Sequence, residues 1–177
     1  MTTTTTSAGP GQPRTSSPRA LRLPALQASL AAWMARHSIT ALRISLGLVI
    51  TGFGSLKFFP GASPAADLAM RTTEALTFGI VSGTSAVVAT ALVEVTIGLA
   101  LLTGVALRPG LVLMAGWLLG IMAPVVLFPT EMFPDGLPTL TAQYVLKDLI
   151  LIAAAMVVAA KALGARMIAG PGASSAA

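Results

Sequence analysis

Apolar positions gather into four blocks: Thr40–Phe59, Gly79–Thr103, Gly110–Phe128 and Ala142–Leu163. A bilayer's hydrocarbon core is about 30 Å thick, and about 20 helical residues cross it at a rise of about 1.5 Å each. Each block has that length, so the pattern predicts an all-α, four-helix transmembrane bundle. The second block runs long, which a tilt accommodates. Before the first block, Leu26, Leu30, Trp33, Met34 and His37 recur at helical spacing, with Arg36 off that stripe. This predicts an interfacial amphipathic helix over residues 25–38, with Trp33 at headgroup depth. His37 is read there as an interfacial polar residue. The membrane domain is expected over 39–164, flanked by cytoplasmic tails at 1–24 and 165–177. The first tail is Thr, Ser, Pro and Gly with scattered Arg. It cannot bury enough apolar surface to fold. Leu21–Met34 is too broken by Arg22, Pro24 and Gln27 to serve as a signal peptide.

The polar intervals carry their own signals. Phe58-Phe59-Pro60-Gly61 is a turn, after which Ser63 is expected to cap a helix with Pro64 at its first position. Asp67 and Arg71 are spaced to pair on that helix, and Leu68, Ala75 and Leu76 form a face for the membrane surface. The interval from Pro129 to Thr141 holds Pro129, Pro134 and Pro138 with Glu131 and Asp135. It reads as a stiff, acidic, non-helical connector, with a lid over the bundle mouth as the functional alternative. Gly104–Pro109 is short enough only for a tight helical hairpin.

Composition sharpens the class. Of 177 residues, 55% are hydrophobic and 10% charged. That leaves too few polar residues to coat four such helices with water. The chain has no cysteine, which excludes disulfides, thiolate metal sites and iron–sulfur ligation within it. A single histidine argues against histidine-held haem. No cofactor is therefore expected within the chain, and redox chemistry would need a bound quinone or a partner. The pI of 10.8 reflects charge arranged for a membrane rather than for nucleic acid. Arg14, Arg19, Arg22, Arg36, Arg108, Lys161 and Arg166 fall on one side. Asp67, Glu74, Glu131 and Asp135 fall on the other, with Arg71 the only base there. The positive-inside rule puts both termini in the cytoplasm of a multi-pass plasma-membrane protein.

Five ionisable residues interrupt the apolar blocks: Arg43, Lys57, Glu94, Lys147 and Asp148. Such groups are costly in hydrocarbon and mark functional sites by default. Arg43, Gly47, Ile50, Gly54 and Lys57 share one helical face, the two cations about 21 Å apart. The glycines permit close approach of a neighbouring backbone. Thr90, Glu94 and Gly98 form a second row. Gln143–Lys147 and Tyr144–Asp148 make two adjacent rows in the fourth block. Depth along the helices predicts an inner cluster of Arg43 with Glu94 and an outer cluster of Lys57, Tyr144 and Asp148, with Lys147 free to snorkel. The third block carries no charge. Its Gly116 and Gly120 form a GxxxG pair suited to packing or dimerisation, Pro124 should kink it, and Trp117 reads as lipid-facing or core.

The runs Arg43-Ile44-Ser45-Leu46-Gly47-Leu48-Val49 and Gly52-Phe53-Gly54-Ser55-Leu56-Lys57-Phe58-Phe59-Pro60-Gly61 resemble the DoxX-like family of small four-helix membrane proteins. So do Leu92-Val93-Glu94-Val95-Thr96-Ile97-Gly98-Leu99, Leu127-Phe128-Pro129-Thr130-Glu131-Met132-Phe133 and Gln143-Tyr144-Val145-Leu146-Lys147-Asp148-Leu149. The resemblance reaches from about Arg43 to Lys161, and Lys147-Asp148 stands where many relatives have Lys-Asn. It implies a membrane component or anchor of a sulfur or oxidative-stress redox system, since the namesake is similar to the membrane part of a quinone-reducing, thiosulfate-oxidising system.

Together these readings make Arg43, Gly47, Gly54, Lys57, Glu94, Tyr144, Lys147 and Asp148 the candidate ligand-binding set, with no catalytic or metal-ligating residue. Arg43 and Lys57 would polarise ligand oxygens, Glu94 would balance Arg43 or carry a proton, and Asp148 would fix Lys57. The expected partners are the bilayer, a soluble redox enzyme or another membrane subunit, and a second copy of the chain. A small transporter subunit and a purely structural anchor remain open beside the redox reading.

Overall fold

The computed structural model describes residues 22–165, which are helical throughout apart from turns. The expected tails at 1–24 and 165–177 fall almost wholly outside them. The helices are α1 (Arg22–Leu56), α2 (Ala66–Leu76), α3 (Gly83–Thr103), α4 (Leu107–Met122), α5 (Pro124–Leu127), α6 (Pro129–Met132), α7 (Leu140–Lys147) and α8 (Leu149–Ala162). Among the described residues three stretches are long and apolar enough to cross a membrane, Leu26–Leu56, Gly83–Thr103 and Leu107–Leu127, and they suit the chain to a lipid bilayer. The expected fourth segment is divided at Asp148. The Asp148 N–H reaches the carbonyl of Val145, three residues back, at 3.0 Å. α7 thus ends in a tightened turn before α8 begins.

Contacts separate the chain into two units, Met1–His37 and Ser38–Ala177. In the first, Leu26, Leu30, Trp33 and Met34 are exposed, and the His37 ring stacks on Trp33 at 5.0 Å. His37 Nδ1 lies 2.9 Å from the Trp33 carbonyl. The stretch expected as a separate interfacial helix is continuous with α1, because nothing between Arg22 and Leu56 breaks the hydrogen-bond ladder.

In the second unit, Leu46, Ile50, Ile97, Leu101, Met114, Leu118 and Val158 form one core drawn from α1, α3, α4 and α8. α3 is rich in valine and threonine, yet it runs unbroken from Gly83 to Thr103. Those residues are poor helix formers in water. In hydrocarbon every backbone polar group must be satisfied internally, and that requirement overrides propensity. The α3–α4 hairpin turns on Gly104, whose φ is 76°. This left-handed conformation closes a helix end. The Gly104 N–H reaches the Ala100 carbonyl at 3.0 Å.

Pro124, expected to kink the third block, opens α5 after α4 ends at Met122. In the connector expected to be non-helical, Pro129 opens α6 and Pro134 opens a 3-10 turn over Pro134–Gly136. A proline at the first position of a helix has no N–H to lose, so each ends one turn and starts the next. α2 differs from expectation in two ways. Ser63 provides no cap: the helix begins at Ala66 with no side-chain cap bond, and the Ser63 hydroxyl is buried. And α2 packs chiefly along α3, also touching α4 and α5. At that seam the Thr73 hydroxyl lies 3.2 Å from that of Thr90, while on the row of Leu68 and Leu76 the Thr72 side chain is buried.

Candidate functional site

The site grows from a close crossing of α1 and α3. A Cβ on Gly98 would collide with Thr51 Oγ1 and fall 3.0 Å from the Gly47 carbonyl oxygen. One on Gly54 would lie 2.8 Å from the Cβ of Glu94. Only glycine lets the two backbones come this near. The contacts also fix the register. Arg43 lies beside Gly104, Gly47 and Thr51 beside Gly98, and Gly54 beside Glu94. α1 therefore ends opposite the middle of α3, and the next residue after it, Lys57, meets Glu94.

Lys57 Nζ donates to Glu94 Oε2 at 2.5 Å, and both side chains are only 4% exposed. Trp117 on α4 donates its indole N–H to Glu94 Oε1 at 3.1 Å. Each carboxylate oxygen thus has a donor, one charged and one neutral. A buried pair holds only when charge and lone pairs are met in this way. Sequence pattern does not reveal the role of Trp117, because an indole in an apolar helix carries no mark of a polar partner. The usable signal is Glu94 itself, a buried acceptor that needs more than one donor.

Neither expected cluster forms. The inner pair fails because Arg43 lies too far down the register: its guanidinium lies over Gly104, where a Cβ would be 2.6 Å from Nη1. It stands at the C-terminal, partially negative end of α3 rather than at a carboxylate. The outer cluster fails because Lys57 is taken by Glu94. Tyr144 and Asp148 lie elsewhere, on α7 and at its end.

There the carboxylate of half-buried Asp148 has no ion-pair or hydrogen-bond partner among the described residues. Lys147 is exposed, its ammonium 4.7 Å from the Tyr144 ring centroid and 5.7 Å from that of Phe53 on α1. Two faces of ring carry the cation where no carboxylate does. The eight candidates therefore fall into three places: Arg43 at the end of α3, Gly47, Gly54, Lys57 and Glu94 in the crossing, and Tyr144 and Lys147 on α7 with Asp148 at its end.

The second ion pair lies toward the proline-rich connector. Arg71 on α2 reaches past Asp67, its expected partner, and binds both oxygens of Glu131 at 2.9 Å. Its guanidinium also lies 4.8 Å from the Phe128 ring centroid. Both bonds come from one guanidinium nitrogen, Nη2, which bridges the two carboxylate oxygens in a charge-assisted contact. The bond to Glu131 and its charge hold the Arg71 guanidinium above its ordinary pKa. Pro64, Asp67, Leu68, Met132, Thr139 and Thr141 complete a cleft of about 310 Å³ around the pair. Among the described residues no group of three or more metal-ligating side chains assembles. No family model, curated protein or solved structure matches the chain.

Proposed function

We propose that the chain is a four-helix, DoxX-like membrane component of a redox system, with α7 and α8 together forming the fourth crossing. It takes a quinone-like, carbonyl-bearing ligand from the bilayer at the Phe53–Tyr144–Lys147–Asp148 face, and a partner supplies the redox centre. The observation that carries this reading is Lys147: an exposed ammonium in an apolar helix, beside two rings and with no carboxylate within ion-pair distance among the described residues. The ammonium and the Tyr144 hydroxyl are donors suited to ligand carbonyls, and the rings give a flat ligand a stacking surface. Lys57 is already engaged by Glu94, and Arg43 lies at the far end of α3 beside Gly104, so the role of polarising ligand oxygens passes to Lys147.

The test is purification in mild detergent after incubation with an isoprenoid quinone, followed by mass spectrometry of what is retained. Wild type should hold quinone, while Lys147→Met and Tyr144→Phe should each lose most of it and remain folded. Retention unchanged in both variants, or none in wild type, sinks the reading. A structural anchor is the second reading, favoured by the complete satisfaction of the Glu94 carboxylate from within the chain. A soluble enzyme co-purifying equally with wild type and both variants would support it.

A further inference from the structure

The chain carries six acidic side chains, and all six lie among the described residues. Glu94 binds Lys57 and Glu131 binds Arg71. Of the other four, Asp67 and Glu74 stand on α2, Asp135 in the 3-10 turn and Asp148 at the end of α7. None of the six forms an ion pair with Arg43, Arg108 or Lys161. Those three cations share one end of the helices. Leu46, Leu101 and Val158 belong to one core. Arg43 comes three residues before Leu46, Gly104 three after Leu101, and Lys161 three after Val158. Arg108 stands in the first turn of α4, just past the hairpin.

This end lacks the negative charge it needs. Arg43 is half-buried, and its guanidinium donates to no group among the described residues. Gly104 nonetheless fixes its place, since a Cβ there would be 2.6 Å from Nη1. The end of α3 offers that guanidinium only a helix dipole, equivalent to about half an elementary charge. Arg108 is exposed where the dipole of α4 is positive, and no acidic residue in that turn offsets it.

Depth identifies the missing anion. The apolar stretch of α3 ends at Thr103, and that of α4 begins at Leu107. Arg43 lies inside α1 yet stands level with the turn between them, beside Gly104. In a bilayer the ends of apolar stretches meet the headgroups. From Arg108, α4 continues with Val112, Ala115, Gly116 and Leu119 on one exposed face, about 16 Å of apolar surface. A soluble anion would use the cations alone, whereas a phospholipid uses the cations and this face.

We infer that the α3–α4 hairpin end binds an anionic phospholipid, with Arg43 and Arg108 on its headgroup and an acyl chain along Val112–Leu119. Arginines at the ends of membrane helices hold such headgroups by charge-assisted bonds to phosphate. Lys161 adds attraction from α8. The site is independent of any ligand at Lys147, which lies against Phe53, about 15 Å beyond Arg43 along α1.

The test offers full-length protein, in mild detergent, equal amounts of phosphatidylglycerol and phosphatidylcholine with the same acyl chains. Native mass spectrometry counts what is retained. Wild type should prefer phosphatidylglycerol, and Arg43→Gln and Arg108→Gln should each lower that preference about fivefold. Arg43→Lys keeps the charge and should keep much of the preference. Arg71→Gln removes an equal charge on α2 and should match wild type. Because Arg108 is exposed, its variant decides the matter even if Arg43→Gln fails to fold. Equal retention of the two lipids by wild type overturns the site. So does a preference that Arg108→Gln leaves in place, or that Arg71→Gln lowers as much. A preference lost in inorganic phosphate, but kept in chloride of equal ionic strength, would assign the cations to free phosphate and overturn the lipid.

Discussion

Two ion pairs of the same chemistry sit in opposite surroundings. Lys57–Glu94 is closed over by α1, α3 and α4, with its side chains 4% exposed. Arg71–Glu131 is 39% and 51% exposed and borders an open cleft. The first is enclosed by a glycine-mediated crossing that leaves its charges no alternative partner. The second joins two elements through a bond that water can replace. The contrast teaches that placement decides what a pair does: the buried pair must be satisfied within the register that the glycines set, and the exposed one ties the connector to α2.

The comparison breaks most sharply when one buried partner is removed. Lys57→Met should destabilise the protein by about 3–5 kcal/mol, since it leaves a carboxylate uncompensated in an apolar interior. The double variant Lys57→Met with Glu94→Gln should recover most of that loss, because the introduced amide oxygen would still accept from Trp117. Denaturant titration in detergent micelles measures both. A double variant as damaged as the single would mean the pair is worth more than its charges.

The next largest effect comes from the crossing that encloses the pair. Gly98→Ala places a methyl against the Thr51 hydroxyl and backbone. These must separate, at a cost of about 1–3 kcal/mol. Gly116→Ala should change stability little, because nothing lies within 4 Å of the new methyl. Equal effects at the two glycines would contradict the α1–α3 packing. The same measurement separates the glycines at the crossing from the GxxxG pair on α4, which chain-internal packing does not use at Gly116.

Much of this is legible in the sequence, for physical reasons. Apolar block length fixes where long helices can form, so the three crossing-compatible helices overlap the first three blocks. The face shared by Arg43, Gly47, Gly54 and Lys57 is also readable, since spacing alone places residues on a helix. What the pattern does not carry is axial register between helices. A shift along the axes sends Lys57 to Glu94 rather than Asp148, and Arg43 to Gly104 rather than Glu94. No periodicity encodes that shift; it follows from where Gly47, Gly54 and Gly98 interlock. The connector departs from expectation for a related reason. Proline breaks helices, but Pro129 and Pro134 each start a new turn as well, as Pro124 does before them.

Trp117 links the buried pair to α4, and Trp117→Phe keeps an aromatic ring while removing the donor to Glu94 Oε1. A hydrogen bond to a charged group is worth about 1.5–3 kcal/mol. The low end is expected because Lys57 still neutralises the carboxylate. Chemical denaturation of the variant in micelles gives the loss. A variant as stable as wild type would mean that the indole merely packs beside the carboxylate.

The smallest effect belongs to the exposed pair. Arg71→Ala should barely move global stability, since exposed pairs are screened by water and salt. Its consequence is local: amide exchange over Pro129–Met132 should rise, most clearly at low ionic strength, where the charge interaction is least screened. The pH behaviour of the arginine follows from its raised pKa. Its stabilising share is complete below the unfolded value and is lost only as pH rises through the still higher folded one. A guanidinium already stays charged far above neutral pH, so Arg71 should add no slope to stability near neutral pH. Exchange in this segment that ignores both the substitution and the salt concentration would show that buried Met132, rather than the ion pair, holds the connector against α2.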